Sequence, residues 1–382
     1  MSASVQPNPR LRLLLLIPHL GGGGAEQVTA LLARGLSSRK YDLHLALVTQ
    51  VPNVAEIASA RLPPSVTLHP LGARRIRSAA LPLYRLIRDL RPRLVLSSMF
   101  HLNFLVLLLR PFLGFSVPVL IRQNGTASSA MGTLPRYNRL LYRLLYPRAD
   151  RVICQSAAMA RDLANNFAIP EGRLSILPNP IDFDAIRSTK PCQPDVWPDS
   201  GPHLLAVGRL SHEKGFDLLL QSFSLLRQRF PSADLLIAGS GPEEHLLRAQ
   251  CRSLSLDSAV RFLGHVAAPE AYFSTATLFV LSSRHEGLPN ALLEAAAAGL
   301  PIVSTPASEG LVELVHRQPG VWLATSPTAE ALAAALTTAL TALEPGQRFH
   351  HAFIEPFALS PALSAWETLI DRFRDDVPTA AV

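Results

Sequence analysis

The sequence predicts an α/β protein built as two doubly wound domains facing each other across a cleft, on three observations. The chain has 382 residues, more than one compact core ordinarily holds. Short, continuously apolar runs alternate with longer helical patterns, the signature of parallel sheets covered on both faces. The series halts at 188–202 and then begins again.

In the first series, strands are expected near 11–17, 43–48, 66–70, 94–97, 118–122 and 151–155, with helical stretches at 25–38, 79–90 and 134–146. The run 188–202 (STKPCQPDVWPDSGP) holds four prolines and no apolar period, which reads as a linker. Beyond it, strands near 204–207, 234–238, 260–263, 278–282 and 301–304 alternate with helices near 216–229, 243–254 and 290–298, and alanine-rich helical stretches lie at 294–298 and 329–335. A last helix is expected over 361–374: Ser360 can cap it, Pro361 suits its first position, and Leu363, Trp366, Ile370 and Phe373 form one stripe. The expected division is therefore 1–187, a linker 188–202, 203–358, and a closing helix and tail 359–382.

Composition narrows the classes. Hydrophobic residues make up 48% and charged ones 17%, which excludes a disordered chain. The net charge of +7 is unevenly spread: residues 1–150 hold 19 Lys/Arg against 5 Asp/Glu, and 151–382 hold 17 against 24. A basic half suits an anionic partner, either nucleic acid or a membrane surface. Cys154, Cys192 and Cys251 are odd in number and form no CxxC pair, which fits a reducing cytosol. The run Leu13–Ile17 behind Arg10 and Arg12 is too short for a secretory signal and reads as a buried strand. Leu102–Leu109 is the longest strongly apolar stretch and falls short of the ~20 residues that span a bilayer. A soluble or peripheral cytoplasmic protein is expected.

The densest chemistry lies in SSRHEGLPNALLEAAAAGLPIVS, residues 282–304. Glu286 follows a strand, and Glu294 stands eight residues on in the next helix. Pro289 suits that helix's start, so the amides of Gly287, Leu288 and Asn290 can surround an anion at its N-terminus. Glu294 can accept two hydrogen bonds from a ribose diol, and Glu286 can do the same for a second sugar. In VGRLSHEKGFD (207–217), Arg209 and Lys214 flank a loop at a strand's carboxyl end, two cations suited to a diphosphate. In AGSGPE (238–243), Gly239 and Gly241 mark a strand end where the backbone approaches a ligand or turns sharply.

The first half offers LGGGGAEQ (20–27), which fails the GxGxxG dinucleotide spacing yet lets the backbone of Gly23 and Gly24 approach a phosphate or sugar. His101, and Arg122 and Asn124 in IRQNG, sit at expected strand ends facing the cleft. Asp182 and Asp184 form a DxD without strand-end placement and read as structural. His350-His351 lacks companions at metal-ligand spacing. No GxSxG, HExxH or P-loop occurs.

At these segments the sequence resembles glycosyltransferase family 4, a group of retaining enzymes with the two-Rossmann GT-B fold. The likeness runs through GGAE at 23–26, NPID at 179–182, GRLSHEKGFD at 208–217, GSGPE at 239–243 and EGLPNALLE at 286–294, the last being the most specific. It implies that the second domain binds a nucleotide sugar, UDP-linked foremost, and that the first binds a glycan or lipid-linked acceptor. Arg209 and Lys214 would stabilise the departing diphosphate. Glu286 would contact the donor sugar, Glu294 the ribose, and the amides near Gly287–Asn290 the donor's sugar and phosphates. The Gly23–Gly24 loop would close over the donor, with Glu26, His101, Arg122 and Asn124 as acceptor or donor-sugar candidates. The final helix would cross back to the first domain. The family needs no metal or other cofactor. Two departures stand out: Arg122-Gln123-Asn124 replaces a segment where many relatives carry histidine, and Ala307-Ser308-Glu309-Gly310 replaces paired glycines, while Gly310 and Glu313 keep the pattern.

The expected activity is therefore transfer of a hexose or N-acetylhexosamine in bacterial cell-surface polysaccharide, lipopolysaccharide or glycoconjugate synthesis. The rival readings are a non-catalytic sugar-nucleotide binding module and a nucleic-acid binder. Few aromatics accompany the arginines, which argues against nucleic acid. The arginines instead cluster at 74–93 (Arg74, Arg75, Arg77, Arg85, Arg88, Arg91, Arg93) and at 136–148, where Arg136, Arg139 and Arg143 lie beside a stripe of Leu140, Leu141, Leu144 and Leu145. Such a helix either packs its stripe into its own domain or lies on an anionic membrane.

Overall fold

The computed structural model describes residues 10–21, 23–36, 40–50, 60–113, 117–131, 135–192, 196–197 and 201–375. Gly22, the end of the expected first helix at 37–38, residue 134, parts of 188–202 and the tail beyond 375 lie outside the described residues. The chain forms two compact units: one runs up to Pro180 and resumes at Ser360, and the other is Ile181–Leu359.

The first unit holds a parallel sheet of β1 (Leu11–Ile17), β2 (Tyr41–Thr49), β3 (Thr67–Ala73), β4 (Leu94–Ser98), β5 (Val119–Arg122), β6 (Arg151–Cys154) and β7 (Leu174–Ile176), in the order β3-β2-β1-β4-β5-β6-β7. The run Leu13–Ile17 lies in the central strand, as a buried strand was expected there. Leu14 and Leu16 enter the core on one face, and Leu13, Leu15 and Ile17 enter the core on the other. Two buried faces explain why β1 is continuously apolar. Helices Ala80–Leu90, Phe100–Leu109, Tyr137–Leu145 and Ala157–Phe167 cover the first face. The apolar stretch 102–109 is thus a packed helix. β7 has only three residues, none of them buried, so it left no apolar run to read.

The other face is covered by helix Gly24–Gly35 and by the last helix, Leu359–Asp375. That last helix begins at Leu359, one residue before the expected Ser360 cap. Its stripe lies where expected: Trp366 is fully buried and donates from Nε1 to the Pro178 carbonyl at 3.1 Å, and Leu363, Ile370 and Phe373 join the same core. Lys40 Nζ meets Asp371 at 2.6 Å. Trp366→Ala is expected to destabilise the first unit by about 3–5 kcal/mol, the range for a truncated core aromatic. Urea unfolding checks it, and a loss as small as that of a surface substitution would refute this anchoring role.

The second unit holds β8 (His203–Val207), β9 (Asp234–Ala238), β10 (Val260–Gly264), β11 (Leu278–Leu281), β12 (Ile302–Ser304) and β13 (Val321–Leu323), all parallel in the order β10-β9-β8-β11-β12-β13. In each unit the strand order reverses at the central strand, beside β4 in one and β11 in the other. Ligands in such sheets gather at the carboxyl ends of those strands.

The boundary differs from the one expected. Residues 181–187 belong to the second unit: Ile181 N donates to Phe357 O at 2.8 Å, and Phe183 and Ile186 pack on its core. One described residue of the proline-rich segment, Trp197, is also anchored. Trp197 is buried, stacks on His203 with ring centroids 4.4 Å apart, and donates to Thr275 Oγ1 at 3.1 Å. Prolines erase helical and strand periods, but they do not prevent one aromatic from docking.

Candidate active site

In the second unit the carboxyl ends of β8 and β11 bring together the two densest sequence segments. After β8 the chain turns through Gly208–Ser211 into a short turn, His212–Lys214, and then helix Phe216–Arg227. Gly215 joins the two at φ +62°, and a Cβ there would lie 2.2 Å from the Ser282 carbonyl. Main-chain contact between the loops therefore requires glycine. Ser282 Oγ donates to Lys214 O at 2.9 Å, and the amides of Arg284 and His285 donate to Glu213 O at 2.8 and 3.3 Å. Arg284 grips Asp217 with two bonds of 2.7 and 2.6 Å. Burial pushes the Asp217 carboxyl up, but the Arg284 fork and nearby amides outweigh it and hold the group below the usual carboxylate range. The Asp217 hydrogen bonds hold the guanidinium above its ordinary value.

This stitching sets Lys214 Nζ 2.6 Å from Glu286 Oε1, with side chains 27% and 9% exposed. Ser283 Oγ donates to the same oxygen at 2.7 Å. The Glu286 amide donates to Ala307 O at 3.1 Å, and Ser308 Oγ to Gly287 O at 3.2 Å. Ser308 also caps helix Glu309–Val315. The departure at 307–310 is thus a bracket that holds the glutamate loop. Helix Asn290–Ala297 starts after Pro289, as its sequence position suggested, and carries Glu294 buried within its second turn. The Leu288 side chain belongs to the core, which leaves its main chain for any ligand. Arg209, in the turn after β8, is exposed.

Gly239 and Gly241 have a local explanation. Gly239 sits at φ +151°, where a Cβ would lie 1.8 Å from Gly208 O; at Gly241 it would lie 2.3 Å from Leu210 O. Ala238 O and Ser240 O accept from the amides of Gly208 and Leu210. The glycines let this turn seat the loop that carries Arg209.

In the first unit, Gly23 precedes helix Gly24–Gly35, and Glu26 in its first turn is buried with Oε1 3.3 Å from His19 Nδ1. Asn124 follows β5 and donates to Ser98 Oγ at 3.2 Å. His101 lies in the first turn of the helix after β4, exposed and against the Phe100 ring. Arg122 departs from expectation. It is 2% exposed, it donates to Asn179 Oδ1 at 2.7 Å, and it lines a cavity of about 10 Å³ with Leu15, Thr29, Leu96 and Ser98. Burial pulls its pKa down to about 10, against the opposing pull of the Glu26 charge. The strand end thus holds this guanidinium inside the unit, bonded to Asn179.

Asp182 caps helix Phe183–Ser188 by accepting from the Ala185 amide at 3.0 Å, a structural use of the DxD. Sequence reasoning gave no role to Ser283, Arg284, Asp217 or His19, and took in Asn179 only as part of NPID. Single serines and an Arg–Asp pair 67 positions apart leave no spacing signal. His19, by contrast, directly follows the first strand's Pro18 and was open to notice.

A profile of glycosyl transferases group 1 matches residues 201–342, and one of glycosyltransferase family 4 matches 22–185. A Campylobacter jejuni protein, N-acetylgalactosamine-N,N'-diacetylbacillosaminyl-diphospho-undecaprenol 4-alpha-N-acetylgalactosaminyltransferase, is 30% identical over 312 residues, which are 79% of this chain and 83% of that one. An uncharacterized glycosyltransferase of Methanocaldococcus jannaschii is 28% identical over 245 residues, which are 61% of this chain and 60% of that one. The solved structure of Anabaena HepE with UDP and glucose superposes with a TM-score of 0.80 at 17% identity, covering 95% of this chain and 100% of that one. Two family profiles that take up the greater part of both halves, and a relative matched over most of its length, agree with the paired switch-point sheets: the chain belongs to the family 4, group 1 glycosyltransferases and has their two-Rossmann GT-B fold.

Proposed function

We propose that the chain is a retaining transferase that moves a hexose or N-acetylhexosamine from a UDP-sugar to a glycan or lipid-linked acceptor in cell-surface glycoconjugate synthesis. It would work at the cytoplasmic face of the membrane without a metal. The observation that carries this reading is the Lys214–Glu286 contact of 2.6 Å at the carboxyl ends of β8 and β11. Breaking the bond to a nucleoside diphosphate leaves negative charge on the phosphate. Lys214, held by Glu286, is a fixed cation suited to meet it, and Arg209 adds an exposed second one; preorganised positive charge favours the charge-separated state. Glu286, held by Lys214 and Ser283, is suited to orient the donor sugar's hydroxyls, and Glu294 is suited to hold the ribose. Gly287, Leu288 and Asn290 offer main-chain groups at the start of a helix of eight residues. In the first unit, Glu26, His101 and Asn124 remain candidates for the acceptor or donor sugar, with Gly23 and Gly24 in the covering loop. Retention without a protein nucleophile fits attack on the face the diphosphate leaves, with that phosphate accepting the acceptor's proton. The Campylobacter relative's lipid-linked acceptor and the UDP held by HepE support the choice of partners.

Thermal shift with UDP, GDP and ADP tests the donor site, because a ligand at 100 times its Kd adds about 2.7 kcal/mol of stability. UDP is expected to raise Tm most, Glu294→Ala to abolish that rise, and EDTA to leave turnover unchanged. If no nucleoside diphosphate shifts Tm, the donor site is wrong. A shift without turnover of any UDP-sugar would favour the binding-module reading.

A further inference from the structure

The helix layer on the first face of the first unit's sheet has an unusual outer surface. Helix Tyr137–Leu145 turns Asn138, Tyr142 and Leu145 inward. Arg139 and Arg143 reach along one flank to the Asn166 carbonyl, each at 3.4 Å. Facing outward are Tyr137, Leu140 and Leu144, which are 63, 56 and 56% exposed and spaced by three and four residues. A helix packed on a soluble core normally shows water its polar side; here the expected leucine stripe is split, with Leu145 in the core and Leu140 and Leu144 outside it. The neighbouring helix Phe100–Leu109, which packs against this one, carries an exposed Leu108, and the turn after it carries Phe112 at 70% exposure. Arg136, Arg139 and Arg143 are all exposed on this helix or at its start, and residues 74–148 contain thirteen arginines, of which Arg122 is buried, against one acid, Asp89.

We propose that this outer surface docks the protein on an anionic phospholipid leaflet, with Tyr137, Leu140, Leu144 and Phe112 entering the acyl boundary and Arg136, Arg139 and Arg143 at headgroup level. The geometry stands by itself; its purpose rests on the lipid-linked acceptor proposed above. Apolar side chains flanked on one side by arginines match a surface with an apolar interior and anionic headgroups. A second copy of the same face would bring like charges together. A nucleic-acid strand would give the leucines nothing to enter.

Flotation of the full chain with phosphatidylcholine–phosphatidylglycerol vesicles, against phosphatidylcholine alone, tests this. Binding is expected only with the anionic lipid and is expected to weaken with salt. Leu140→Ser/Leu144→Ser is expected to lower the vesicle-bound fraction about tenfold, and Arg139→Gln/Arg143→Gln to weaken the lipid-charge dependence. Leu246→Ser, an exposed leucine of the second unit, is expected to change nothing. Transfer to a water-soluble acceptor analogue is expected to persist in Leu140→Ser/Leu144→Ser, whereas Lys214→Ala would float like the parent and fail in transfer. The two readings thus fail separately. Equal flotation of the parent and the double-serine variant overturns the proposal, as does indifference to lipid charge. A self-associated form that the double-serine variant dissolves, with no vesicle binding, also overturns it.

Discussion

Lys214→Ala and Glu286→Gln are each expected to lower kcat by about 10²–10³-fold, the usual loss when one preorganised charge or donor leaves a site. The double variant is expected to lose little more than the worse single one. The 2.6 Å contact makes the two side chains one device: Lys214 loses its orientation without the carboxylate, and Glu286 loses its strongest donor without the ammonium. Ser283 still donates to Glu286 in Lys214→Ala, so the fold is expected to hold. Lys214→Arg is expected to recover little, because a planar fork does not reproduce a point charge at that distance. Turnover at saturating donor, with Tm measured alongside, checks all four proteins. Additive losses in the double variant would show that the two groups act apart, and full activity in either single variant would remove the site.

Gly239→Ala is expected to be among the most destabilising substitutions in the second unit, at about 3–5 kcal/mol. Its Cβ would press into Gly208 O at 1.8 Å, a main-chain atom that no rotamer can move, from a backbone at φ +151°. The Gly239 amide donates to Gly264 O at 2.7 Å and the Gly208 amide to Ala238 O at 3.0 Å, so neither strand end can withdraw cheaply. Relief by shifting 208–210 would displace Arg209, so stabilisation by UDP is expected to fall as well. Gly264→Ala is the comparison: φ is +69° with nothing within 4 Å of the added carbon, so about 1–2 kcal/mol is expected. Similar Tm values for the two variants would refute this packing account.

The architecture was legible because both sheets bury their central strands on two faces, which forces continuous apolar runs such as Leu13–Ile17 and Leu235–Ala238. Short outer strands were not: β7 has half-exposed residues and β13 has three, none fully buried. Within the site, residues carried by compact segments, such as Lys214, Glu286 and Glu294, stood out by local spacing. Arg284 with Asp217, and Arg122 with Asn179, join distant stretches, and only folding brings them together. Arg122 shows the opposite limit. Its place at a strand end suggested a ligand contact, yet a side chain's exposure is set by what covers it, and residue spacing does not encode that.

The last helix completes a core that begins at residue 11. The whole of Ile181–Leu359 must be synthesised before Trp366 exists, so Leu13, Leu15 and Ile17 wait with only helix Gly24–Gly35 over them while a later unit can already begin to fold. At usual elongation rates the delay is roughly 10–40 s. The first unit to be made is therefore the last to be finished, and a ribosome stalled near residue 359 would hold out a sticky, half-covered sheet to its surroundings.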